Sequence, residues 1–71
     1  MASFKPKEVV RILQKLGYIP KRQTGSHLIM YHPKKHKIIP VPIHSKDIKK
    51  GLLRAIIKEA ESTEQEFLKL K

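Results

Sequence analysis

The chain has 71 residues, no cysteine, and sixteen Lys plus Arg against six Asp plus Glu, a formal charge of +10. One core of this size leaves no room for a buried cofactor cleft, and the lack of cysteine excludes a disulfide framework or a thiolate metal site. No apolar run approaches the roughly 20 residues of a membrane span and "MASFKPKEVV" lacks a secretory core, so a single cytoplasmic domain over residues 1–71 is expected, with no membrane partner. A small domain this basic points to phosphate, and nucleic acid is the leading partner class.

Residues 6–16 read as a helix: Val9, Ile12, Leu13 and Leu16 make one apolar stripe, Pro6 suits the first turn and Glu8 suits the dipole. Gly17 stands where a left-handed residue ends a helix, with Tyr18 able to pack back on Leu13. "YIPKRQ" at 18–23 is a strand candidate, and Pro20 sends it to an edge. "TG" at 24–25 is a turn, and 26–32 is the best strand, with Leu28 and Met30 on one face and His27, Ile29 and Tyr31 on the other. "PKKHK" turns again, making His32 and His36 turn residues, and 38–43 return as a third strand.

In that strand Pro40 and Pro42 lack N–H groups on one side, which must be the unpaired side, so Ile39, Val41 and Ile43 bond the neighbour and face the core. His27 and His44 then come near one end of the hairpin. After "HSKD", residues 51–60 make a second helix with Ile48, Leu52, Ile56 and Ala60 in a row, Ala55 beside it, and Leu53 and Ile57 flanking. Gly51 marks a bend before it. Thr63 and Glu66 have capping-box spacing before a short third helix. The expected fold is α+β: α-β-β-β-α with a C-terminal helical turn, a three-stranded antiparallel sheet, helices on one face and the other face open.

A metal site is not expected: His27 and His32 project to opposite faces, His36 sits in a turn, and Asp47 is the only carboxylate near. Ser26 and His27, adjacent on a strand, cannot form a nucleophile–base pair. Proton transfer by one histidine survives. RNA carries its own nucleophile, the 2′-hydroxyl, so a ribonuclease needs a group that titrates near neutrality and cations to hold the phosphate. His27 follows a Gly-Ser turn, with Lys21 and Arg22 just before it; Ser26, Lys46 and Lys50 are further candidates for phosphate, the lysines through the start of the second helix. His44 is a second histidine candidate, and Tyr31 could stack a base or belong to a partner surface. The bland alternatives are an exposed strand-end histidine, a non-catalytic RNA-binding module, and an interaction domain for an acidic partner.

The succession "LGY", "RQTGSH", "HP", "VPIHSKDIKKGLLRAIIKEA" and "EQEFL" closely resembles the HicA family of toxin ribonucleases from type II toxin–antitoxin systems, over about residues 6–70. The resemblance implies a double-stranded-RNA-binding-domain-like fold, metal-independent cleavage of mRNA without a cofactor, and a catalytic histidine in "GSH", which is His27 here. It also implies a HicB-type antitoxin covering the active site; direct DNA binding by this chain alone is not expected. Leu52 departs from the hydroxyl residue that often follows the glycine in relatives, and Pro20 interrupts the first strand.

Overall fold

In the computed structural model, which describes residues 3–71, the first helix, α1, spans Pro6–Lys15. Pro6 enters with φ already helical, and the Glu8 carboxylate accepts a 2.8 Å bond from the Lys5 backbone N–H, satisfying a donor at the helix start. Val9, Ile12 and Leu13 are fully buried, as the stripe requires. At the far end Gly17 adopts φ 99; its N–H donates to the Gln14 carbonyl at 3.1 Å, and the Tyr18 N–H donates to that of Leu13 at 2.9 Å. This double closure is a Schellman ending, and it consumes Tyr18, so the first strand starts one residue later than the pattern suggested.

Strands β1 (Ile19–Thr24), β2 (His27–His32) and β3 (Lys37–Pro42) form one antiparallel sheet in the order β1-β2-β3. Thr24 faces His27 across a two-residue turn whose first position, Gly25, has φ 57, as a glycine-first hairpin turn needs. The proline argument for β3 holds: it is an edge strand, and the Ile43 N–H donates inward to the Ser26 carbonyl at 2.9 Å. Met30, Ile39 and Val41 are buried on the helix side. His32 departs from its reading as a turn residue. It is the last residue of β2 and only 8% exposed, with its ring edge-on to Tyr18 at 5.0 Å and its Nδ1 accepting the Lys35 N–H at 3.2 Å.

Helix α2 spans Lys50–Glu59, with Gly51 inside its first turn rather than before it. The row proposed from Ile48 is corrected: Leu52 is 40% exposed and Ala55 faces out, while Leu53, Ile56, Ile57 and Ala60 are buried. The reason is local. Ile48 is anchored in extended chain through a 2.8 Å bond from its N–H to the Phe4 carbonyl, and Lys49 is extended (φ −64, ψ 145), so helical phase cannot be counted from residue 48. The helix ends in a second Schellman closure with Glu61 at φ 56. There the Glu61 carboxylate meets Lys35 at 2.9 Å and Lys37 at 3.6 Å, and the hydrogen bond from Lys35 holds it below the usual carboxylate range.

Helix α3 (Glu64–Leu70) begins with the Thr63 hydroxyl accepting the Glu66 N–H at 3.1 Å. It delivers Phe67, fully buried, edge-on to Phe4 at 6.1 Å. The helices thus cover one face of the sheet and leave the other open.

Gly17→Ala should be the most damaging small change. The added Cβ would lie 2.8 Å from His32 Nε2, on a backbone where an L side chain is already strained. A loss of about 2–4 kcal/mol is expected in urea unfolding. Adding His32→Ala should relieve the steric part, so the double variant loses less than the sum of the singles.

Tyr18 gives a second test, because its hydroxyl is buried without a hydrogen-bond partner among the described residues. Burial raises its pKa above the ordinary 10.0. Its protonated form is therefore favoured in the folded state, a contribution fully present below pH 10.0 and lost as pH rises through the higher folded value. Tyr18→Phe should gain about 1 kcal/mol at neutral pH and lose less stability than the wild type above pH 10, read by thermal melts across pH.

Candidate active site

Antiparallel pairing sets the open face in three cross-strand rows. At one end lie Thr24, His27 and Pro42; in the middle Arg22, Ile29 and Pro40; at the other end Ile19, Tyr31 and Ile38. The middle row contains an irregularity. Pro20 faces Met30 and Arg22 faces Ile29, so Lys21 is an extra residue in β1, a bulge at a proline-bearing edge. Strict alternation would send Lys21 and Arg22 to opposite faces. The bulge instead lets both serve the open one: the Lys21 ammonium lies 4.8 Å from the centre of the Tyr31 ring. Such a contact is worth about 0.5–1 kcal/mol at an exposed site. The Tyr31 hydroxyl also meets His36 Nδ1 at 3.2 Å.

His27 is exposed at the hairpin end of this face. Ser26 is exposed in the turn before it, and its carbonyl ties the turn to Ile43; His44 follows in the exposed bend one residue beyond. The hairpin therefore brings the segments of His27 and His44 to the same end of the sheet. The lysines separate. Lys46 lines a hollow with Lys5, Lys7 and Ser45 beside the start of α1, which neither Lys21 nor Arg22 lines. Lys50 opens α2, whose first turn holds no acidic residue. Among the described residues no three His, Asp or Glu side chains gather closely enough to hold a metal ion, and no helix is long and apolar enough to cross a membrane.

His27 also lines a groove of about 300 Å³ between the free edge of β3 and α2, together with Ile39, Pro40, Leu52, Ala55, Ile56 and Glu59. Sequence reasoning missed Thr24, which pairs with the histidine, and Leu52 and Glu59, which line the same groove. Thr24 follows from hairpin pairing and was within reach of the pattern. Leu52 and Glu59 come from a helix docked across a strand edge, which no local signal announces. A larger hollow of about 440 Å³, lined by Lys7, Arg11 and Leu28 among others, lies between α1 and the sheet and holds none of the candidate residues.

No curated protein matches the chain. Residues 6–61, from the first residue of α1 to the turn that ends α2, match the family described as HicA toxin of bacterial toxin-antitoxin, and this segment includes every candidate residue above. With the fold in the expected order and more than half of its length matched, the chain belongs to the HicA toxin family of bacterial toxin–antitoxin systems.

Proposed function

We propose that this toxin is an endoribonuclease that cuts mRNA, with His27 moving the proton and Lys21 and Arg22 holding the phosphodiester. The observation that carries the reading is the shared face: an exposed histidine at the hairpin end, with two adjacent cations turned to its side by the β1 bulge. Membership in a toxin family supports an activity that arrests growth.

In this reading the RNA backbone crosses the open face. The 2′-hydroxyl next to the scissile phosphate attacks phosphorus, forming an O2′–P bond as the P–O5′ bond breaks. His27, as neutral imidazole, accepts the 2′-hydroxyl proton, and water or the resulting imidazolium returns a proton to the leaving O5′. The guanidinium of Arg22 can take two phosphate oxygens at once, while Lys21 acts as a point charge. Ser26 and Lys50 extend this phosphate surface at the turn and at the start of α2. Lys46 serves more distant RNA on the α1 side, and His44 is the reserve proton carrier.

The same face suits a HicB-type antitoxin. Ile19 is 49% exposed and Ile38 50%, flanking Tyr31 in one apolar row. Large exposed apolar side chains in a contiguous row favour a protein partner. A partner seated there would cover the RNA path and silence the toxin without touching its fold.

His27→Ala, exposed and so expected to fold, should lower RNA cleavage by about 10²–10⁴-fold and abolish growth arrest on induction. Folded wild-type protein that binds RNA but leaves it intact would instead make the chain an RNA-binding module. Arg22→Ala and Lys21→Ala should each reduce the slope of log affinity against log salt for single-stranded RNA by about 0.7, measured with the His27→Ala protein to prevent cleavage. Substrate carrying 2′-deoxyribose at the cut should resist the enzyme completely.

A further inference from the structure

The groove beside His27 has a different chemistry from the sheet face. Its walls are apolar, from Ile39, Pro40, Leu52, Ala55 and Ile56, and apart from His27 its one ionisable residue is Glu59. In a chain of net charge +10, a carboxylate beside a phosphate-binding face is conspicuous. It is also not consumed by the fold. The nearby ammonium groups of Lys35 and Lys37 go to the Glu61 carboxylate, and Lys37 spends a further bond of 3.2 Å on the Glu59 backbone carbonyl. The ion pairs among the described residues leave the Glu59 carboxylate out.

We infer that this groove is a nucleobase subsite, and that Glu59 selects guanine at a nucleotide flanking the scissile phosphate. The proposal rests on the ribonuclease reading of His27 given above. A phosphate is repelled by the carboxylate and gains nothing from apolar walls, so the backbone belongs on the Lys21–Arg22 side and the base in the groove. A hollow of about 300 Å³ lies at the small end of ligand sites, suited to one base rather than a helix or strand. The exposed Leu52 and the ring of Pro40 offer flat apolar contact to the face of a base.

The carboxylate then decides which base. An ionised Glu only accepts hydrogen bonds, through two adjacent oxygens. Among the four bases of RNA, only guanine presents two adjacent donors, N1–H and N2–H, on its Watson–Crick edge. Adenine and cytosine set one amino donor beside an acceptor, and uracil sets one N–H between two acceptors. The Lys37 ammonium meets the Glu59 backbone carbonyl, and Lys37 pairs with His32 at the end of β2 away from His27, so Glu59 marks the far end of the groove and the selected nucleotide lies a position or two along the chain from the cut.

The test uses the purified full chain on short single-stranded RNAs that differ only at the nucleotides flanking one cut, with product ends mapped and kcat/KM compared. Wild type should prefer guanine at one flanking position by about 10–100-fold, the discrimination that a good bidentate contact gives. Glu59→Gln, which removes no hydrogen bond or ion pair of that carboxylate among the described residues, should collapse this preference towards adenine, whose donor–acceptor edge an amide matches. Leu52→Ala should raise KM at every flanking base while keeping the guanine preference. If wild type cuts and His27→Ala does not, but Glu59→Gln retains the wild-type base preference, the subsite is overturned while the ribonuclease reading stands. If Glu59→Gln and Leu52→Ala alter only neutralisation by a co-expressed antitoxin, the groove is a protein contact and the subsite is likewise overturned. If folded wild type cuts no RNA at all, the ribonuclease reading fails and the subsite falls with it.

Discussion

Alternate residues of β2 go into the core and out of it, and the parity is decided by Met30, fully buried opposite Ile39 and beneath the helices. Because the side-chain period of a strand is two, a slip of one residue would bury His27 and expose Met30. Leu28 and Val41 on one side and His32 on the other repeat the same choice along the strand, so the parity is fixed several times over. The open face, with its histidine, its cations and its apolar row, is the complement of that buried set. The candidate functional face on so small a protein is in this sense the by-product of core packing.

The core that enforces the parity is itself held by backbone turns. Gly17 reverses the chain from α1 into β1 at a point so close to the His32 ring that an added Cβ would force the ring to shift. That reversal sinks Tyr18 beneath the sheet end, where His32 meets it edge-on. Close by, joined to His32 through Lys35, the same turn geometry recurs at Glu61, but with a side chain present. There the left-handed backbone positions a carboxylate between Lys35 and Lys37, joining the end of α2 to the turn between β2 and β3. The two turns answer the same problem, orphaned carbonyls at a helix end, with different residues. These exposed pairs contribute little energy but orient the helix end, and the covering of the sheet depends on where that helix lies.

The division of labour between the two sides of β3 follows from its prolines. Their absent N–H groups leave the outer edge unable to pair with a further strand, which protects the sheet from extension. That unpaired edge is where α2 comes alongside, and the space between them is the groove that His27 and Glu59 share. On the other edge, Pro20 accompanies a bulge instead, and the result is two consecutive cations serving one face. A residue type usually read as a breaker of strands thus shapes both borders of the candidate site.

The amino-acid pattern alone determined the element order, the strand parity and the edge position of β3, because each rests on local rules: helical stripes, alternation, and the donors that proline lacks. It also gave the Gly-Ser turn and the histidine that follows it, since the hairpin sets their place with only short-range pairing. What it left undecided lies where separate segments meet. The phase of α2 was lost because Ile48 is tethered to Phe4 in extended chain, a contact across more than forty residues that breaks the count. Phe4 and Phe67 carry no periodic signal near the chain ends, yet they meet in the core. His32 read as a turn residue until Gly17 and Tyr18 closed around it. Lys46 was read as a phosphate-binding group through the start of the second helix, but packing sets it in a hollow with Lys5 and Lys7 at the start of α1, since a loop follows the surface it is anchored to. Leu52 and Glu59 came to share a groove with His27 only when a helix docked beside a strand edge, a placement set by burial of Leu53, Ile56 and Ile57 rather than by anything written in the groove itself.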